Sequence, residues 1–231
     1  MSTPSPARQT GPTLTRRVAA EFIGTAFLLA AVVGSGIMAV RLSEDPGLQL
    51  LQNALATAAV LAALILALQK VSGAHFNPAV TVGFRILGEV DNRETAAYIA
   101  AQLGGGLTGV MLANLMFELS PITMATTDRA GSHLFLAEVV ATIGLLLIIF
   151  GPVRTGRPNT VAFAVGGYIA GAYYFTSSTS FANPAVTIAR TITDTFAGIA
   201  PSSAPMFIAA QLTGAALAAL VALGVLTPMQ D

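Results

Sequence analysis

Six stretches of the chain are apolar on every side, near residues 18–40, 48–69, 96–117, 134–151, 160–176 and 205–227, and each is bounded by charges, Pro or Gly. A spanning helix needs about 20 apolar residues, so these stretches predict six transmembrane helices. The first follows Arg16 and Arg17 directly and exceeds the ~7–15 residues of a signal-peptide core, which predicts a retained span. Two shorter segments, 77–87 and 183–193, each begin with Asn-Pro. Asn caps the first free N–H groups of a helix and Pro is tolerated at its first position. At about 1.5 Å per residue each segment covers about 15 Å, half the hydrocarbon thickness, so both read as re-entrant half-helices. Residues 1–17 are polar, rich in Ser, Thr and Pro, and read as a disordered cytoplasmic tail.

Composition strengthens the membrane reading. The 231 residues are 54% hydrophobic and 10% charged, with a mean hydropathy of +0.73, whereas soluble domains carry about 25% charge. Six spans leave no room for a soluble domain. Eleven basic and eleven acidic residues balance, which argues against a nucleic-acid partner and against a polybasic lipid-binding tail. With no cysteine there are no disulfides, thiolate metal sites or cysteine nucleophiles. His75 and His133 are too far apart to suggest a metal site. No nucleophile–base pair, phosphate-cradling loop or ligand cluster is visible, so the expectation is a non-enzyme without cofactor or metal.

The chain also repeats itself. Glu21-Phe-Ile-Gly-Thr returns as Glu138-Val-Val-Ala-Thr, His75-Phe-Asn-Pro-Ala-Val-Thr-Val as Phe181-Ala-Asn-Pro-Ala-Val-Thr-Ile in register at the Asn, and Ala101-Gln-Leu as Ala210-Gln-Leu. These markers divide one domain, 18–231, into repeats of about 18–117 and 134–227. Three spans per half force the second half to be inverted relative to the first. With a cytoplasmic N-terminus, Arg8, Arg16, Arg17, Lys70, Arg85, Arg93, Arg154 and Arg157 lie inside, against Arg41, Arg129 and Arg190 outside. That bias predicts both termini in the cytoplasm.

Inverted half-helices meet with their Asn-Pro ends near the bilayer midplane, where irregular backbone survives only if buried or lining a wet cavity. The stretches 73–76 and 178–182 should then present carbonyl oxygens along a lane, with Asn77 and Asn183 as donors at its centre. A lone Asn-Pro is as readily a simple cap; two, in matching contexts, favour the lane. Glu21 and Glu138 lie inside spans, where a carboxylate must be paired or protonated. Supporting the re-entrant loops is favoured over a proton relay, since no second acid or histidine stands in register with either. His75 is read as bracing its loop, and Gly104, Gly105, Gly106 and Gly109, with Gly214, as close helix packing.

The paired Asn77-Pro78-Ala79 and Asn183-Pro184-Ala185 motifs, with Glu21 and Glu138 ahead of them, resemble the aquaporin and aquaglyceroporin family over about residues 15–227. The resemblance implies an all-α right-handed bundle of six spans and two half-helices, a pore in each protomer and a homotetramer in the cell membrane. It also implies an outer selectivity filter, which spacing from the motifs assigns to Thr57, Gly171, Ser180 and Val186. The family usually has Arg where this chain has Val186, and Thr187 replaces the Asp common in glycerol facilitators. A ring without arginine or aromatic residue should be wide and uncharged. Arg190, one turn beyond Val186, is a candidate for positive charge at the outer vestibule, the alternatives being an interfacial anchor or a pair with Asp194. The expected permeants are small neutral solutes: glycerol, urea, water, and arsenite or antimonite as neutral hydroxides, as in a bacterial arginine-less subgroup associated with arsenic resistance. A water-selective pore and a coupled secondary transporter are the rival readings.

Overall fold

The structure is a computed structural model that describes residues 11–226. Among the described residues eight α-helices follow one another: α1 (Leu14–Leu42), α2 (Pro46–Ser72), α3 (Pro78–Ile86), α4 (Asn92–Met116), α5 (Ser132–Arg154), α6 (Val161–Phe175), α7 (Pro184–Ala189) and α8 (Ala204–Val225). Short 3-10 turns precede α6 and follow α7, and no strand occurs among the described residues. The order long, long, short, long occurs twice. α1, α2, α4, α5 and α8 are long and apolar enough to cross a membrane. α6, at 15 residues, is the shortest span. With α3 and α7 as the half-helices, this is an all-α membrane fold of six spans and two re-entrant segments.

Local chemistry sets the helix starts. Asp45 caps α2, accepting from Gly47 and Leu48 N–H ahead of which Pro46 occupies the first position. Asp91 caps α4 by accepting from Glu94 N–H. Thr13 caps α1 by accepting from Arg16 N–H, so Leu14 to Arg17 are helical. This corrects the tail boundary: hydropathy marks where hydrocarbon begins, and a helix extends past it into water with polar residues. Residues 1–10, including Arg8, and residues 227–231 lie outside the described residues.

Packing follows the repeat. α1 packs on α2 and α4, and α5 on α6 and α8; each half-helix lies against the last helix of the other half, α3 on α8 and α7 on α4. Glycine allows the closest approaches. A methyl group on Gly105 would stand 2.3 Å from Phe22 O and one on Gly109 2.1 Å from Ala26 O, so α4 rides directly on the backbone of α1. Gly214 of α8 plays the same part against α5, where the added carbon would be 2.8 Å from Val139 O. The outer surface is apolar: Phe27, Leu55, Phe163 and Leu220 are all exposed. That arrangement suits a bilayer, while Glu21, Glu138, Gln102 and Gln211 are fully buried inside.

Candidate functional site

The loops leading into the half-helices are held in an unusual backbone. Ala74 and Phe76 have φ of 53° and 48°, and Ser180 and Ala182 have φ of 51° and 48°. Left-handed backbone costs a non-glycine residue roughly 1–2 kcal/mol, so each loop needs a brace. Glu21 supplies the first: Oε1 accepts from Ser72 Oγ (2.6 Å) and His75 N–H (3.0 Å), and Oε2 from Phe76 N–H (2.7 Å) and Gln102 Nε2 (2.8 Å). Glu138 repeats it, with Oε1 accepting from Phe181 N–H (2.9 Å) and Oε2 from Ala182 N–H (2.8 Å) and Gln211 Nε2 (2.6 Å). Gln102 also donates to Thr81 Oγ1, and Gln211 to Thr187 Oγ1, which fastens each brace to its half-helix. The only trace of this fastening in the sequence is the repeated Ala-Gln-Leu, which carries both glutamines.

The two motifs meet. Asn77 accepts from Ala79 N–H through its side-chain oxygen and donates through Nδ2 to Ala182 O at 2.7 Å. Asn183 accepts from Ala185 and Val186 N–H and donates to Phe76 O at 2.8 Å. Each asparagine therefore caps its own half-helix and ties the opposite loop. Pro78, Ala79, Pro184 and Ala185 are buried in the first turns of α3 and α7. His75 stacks on Phe84 with ring centres 4.8 Å apart and has Nδ1 3.1 Å from Thr81 Oγ1, consistent with a braced position.

A cavity of about 520 Å³ runs past both asparagines, with Lys70 and Glu89 lining one end and Arg190 the other. One part of its wall is apolar, including Val32, Ile65, Leu145 and Val165; another is the loop 73–76 and Ser180. Thr57, Ser180 and Val186 all line it. Gly171 does not: it is exposed, and an added methyl group there would meet nothing within 4 Å. This corrects the filter assignment. The inward face of α6 is Val161, Val165, Ile169 and Tyr173, and Tyr173 donates its hydroxyl to Thr57 Oγ1 at 3.3 Å. An aromatic side chain thus lies on the cavity wall beside Thr57.

Arg190 is neither an interfacial anchor nor a partner of Asp194. It is 5% exposed, lines the cavity, donates from Nε to Ala197 O, and has Cζ 3.5 Å from the centre of the Phe181 ring. Asp194 instead accepts from Thr126 N–H and Oγ1. α7 ends at Ala189, and the backbone is extended by Thr193, so the i+4 relation fails there. No group of His, Cys, Asp and Glu among the described residues is placed to hold a metal ion.

Residues 8–160 match the family model described as major intrinsic protein. The chain belongs to the major intrinsic protein family. It is 49% identical to an aquaglyceroporin, AqpS, of Rhizobium meliloti (strain 1021) over 205 residues, 89% of this chain and 88% of the relative. It is 34% identical to the lens fiber major intrinsic protein of Rattus norvegicus, over 69% of this chain and 64% of the relative. The X-ray structure of the aquaglyceroporin from Plasmodium falciparum superposes with a TM-score of 0.75 at 20% identity, covering 94% of this chain and 98% of that one, and so shares the fold. As a member of this family the protein is a multi-pass membrane channel and not an enzyme.

Proposed function

We propose that this major intrinsic protein is a passive channel of the aquaglyceroporin type, conducting small neutral solutes: glycerol, urea, water, and arsenite or antimonite as neutral hydroxides. The observation that carries the reading is the mixed wall of the cavity, where the loop 73–76 and the hydroxyls of Thr57 and Ser180 are joined by the aliphatic side chains of Val32, Ile65, Leu145 and Val165. A polyol in single file presents hydroxyls on one edge and C–H groups on the other, so such a lane replaces its water on both edges at once. The 49% identity to an aquaglyceroporin supports the same reading. In this proposal Thr57, Tyr173, Ser180 and Val186 form the selective ring, Asn77 and Asn183 offer their remaining N–H to the permeant, and Val186 in place of the usual arginine leaves the ring open to the larger solutes. The protomer works as one of four in a homotetramer, in the inner membrane, with both termini cytoplasmic.

Vesicle permeability to water, glycerol, urea and arsenite, wild type beside Val186→Arg, tests it. The expected outcome is wild-type passage of all four, with the substitution suppressing glycerol and arsenite more than water. The aromatic ring of Tyr173 favours a second, narrower reading, a water-selective pore. Wild-type water flux without glycerol or arsenite flux would establish that reading and discard the first. Flux driven by an imposed proton gradient would discard both in favour of coupled transport.

A further inference from the structure

The end of the cavity that Arg190 lines carries two positive charges, and neither is held in an ion pair with the protein. Arg129 arrives there from the α4–α5 loop, which is held by Thr123 N–H to Ile192 O and Ala125 N–H to Thr191 O. Arg190 and Arg129 each fix the guanidinium by Nε alone, on the adjacent carbonyls of Ala197 and Gly198. Their Cζ atoms lie 3.5 and 5.3 Å from the centre of one ring, Phe181. The two charges are therefore no more than about 9 Å apart, comparable with the Debye length even if water filled the gap.

Neither makes an ion pair: the buried Glu138 acts on both through its charge, but its oxygens are taken up by Phe181 N–H, Ala182 N–H and Gln211 Nε2. Among the described residues the ion pair present is Arg17 with Glu94, at the other end of the bundle. Asp194 is engaged by Thr126 and Asp128 accepts from Ser203 Oγ. No terminal guanidinium nitrogen of Arg190 or Arg129 donates to a protein acceptor among the described residues. A second, independent group points the same way: Ser180, 4% exposed and lining the same cavity, has a buried Oγ with no hydrogen-bond partner.

We infer that the mouth formed by Arg190, Arg129, Phe181 and Ser180 is a binding site for a small monovalent oxyanion or carboxylate. The chemistry selects that class. A guanidinium fork matches two coplanar oxygens, a serine hydroxyl donates to a third acceptor, and only a full negative charge offsets two neighbouring positive ones. A neutral hydroxyl answers one donor and leaves the repulsion. The site lies on the solute lane of the proposed function, so this inference deepens that reading and implies that a bound anion obstructs neutral flux.

Two measurements decide it, with sodium nitrate as probe and, at equal ionic strength, sodium gluconate as control, a carboxylate made far bulkier than nitrate by its six-carbon polyol chain. In purified protein, nitrate should raise the melting temperature relative to gluconate for wild type, and this difference should shrink in R190Q and in R129Q while R190K retains part of it. In vesicles, nitrate should lower glycerol permeability relative to gluconate, by about half when its concentration equals Kd, and the ratio should return to one in R190Q. An equal nitrate-minus-gluconate melting difference in wild type and both glutamine variants overturns the site, as does a wild-type flux ratio of one. If no glycerol passes in either salt, the proposed function fails, and the melting comparison still decides the anion site.

Discussion

Replacing Glu138 by Gln keeps the side chain's size but removes its charge and one of its acceptor oxygens. In the native site the carboxylate accepts from Phe181 N–H, Ala182 N–H and Gln211 Nε2, all buried. An amide facing this set keeps the oxygen toward Ala182 and Gln211 and turns its NH2 against Phe181 N–H. One orphaned buried donor costs about 1–3 kcal/mol, and each surviving bond weakens by roughly 1 kcal/mol once its acceptor is neutral, so the total is about 3–5 kcal/mol. The neutral amide also avoids the cost of burying a charge, which offsets part of this loss. Ser180 and Ala182 then lose part of what holds their left-handed backbone. The loss approaches the lower end of whole-protein stabilities, about 5 kcal/mol. Thermal unfolding of the purified variant should shift down by many degrees, with glycerol permeability per assembled protein reduced because the loop no longer holds its carbonyls in place. A variant that melts with wild type while its flux acquires a new dependence on pH would refute the reasoning and make Glu138 a proton-handling group.

Other substitutions separate the remaining assignments. Tyr173→Ala should admit four-carbon polyols several-fold better relative to glycerol, because it empties part of the ring beside Thr57, whereas Gly171→Ala should change nothing in the same vesicle assay; the reverse pattern would mean that α6 presents another face inward. Gly109→Leu should abolish the folded channel on size-exclusion chromatography, since its first added carbon already falls 2.1 Å from Ala26 O, and a normally eluting variant would show that α1 and α4 can separate without loss.

What the sequence made legible was what it says twice. The Asn-Pro-Ala motifs, the two glutamates and the Gly-rich face of α4 recur or cluster, and each has a physical need attached: a capped half-helix, a buried charge, a close backbone approach. Gly171 was misplaced because counting back from Asn183 assumes a standard length for the loop between α6 and α7, and that loop turns through left-handed residues at Thr179, Ser180 and Ala182. α6 is apolar almost all round, so hydropathy does not say which side faces the lane; the four-residue spacing of Val161, Val165, Ile169 and Tyr173 is visible only once one of them is anchored. The environment of Arg190 was hidden for a related reason. Helical spacing predicts Asp194 as its neighbour, but the helix stops one residue before the arginine, and the ring beneath it belongs to Phe181, nine residues earlier in the chain.

The crossed ties from each asparagine to the other loop also constrain how the protein is made. Asn77 and Ala182 are 105 residues apart in the chain. At a translation rate of ~5–20 residues per second, the ribosome takes about 5–20 s to produce the acceptor after the donor has emerged. Throughout that interval the leading half sits in the bilayer with its central contact unmade, and only arrival of its inverted twin closes the latch. Nascent chains arrested before residue 182 should consequently be cut by protease near residues 74–77, which the finished molecule buries wholly or in part; equal resistance in both would show that the first half seals itself.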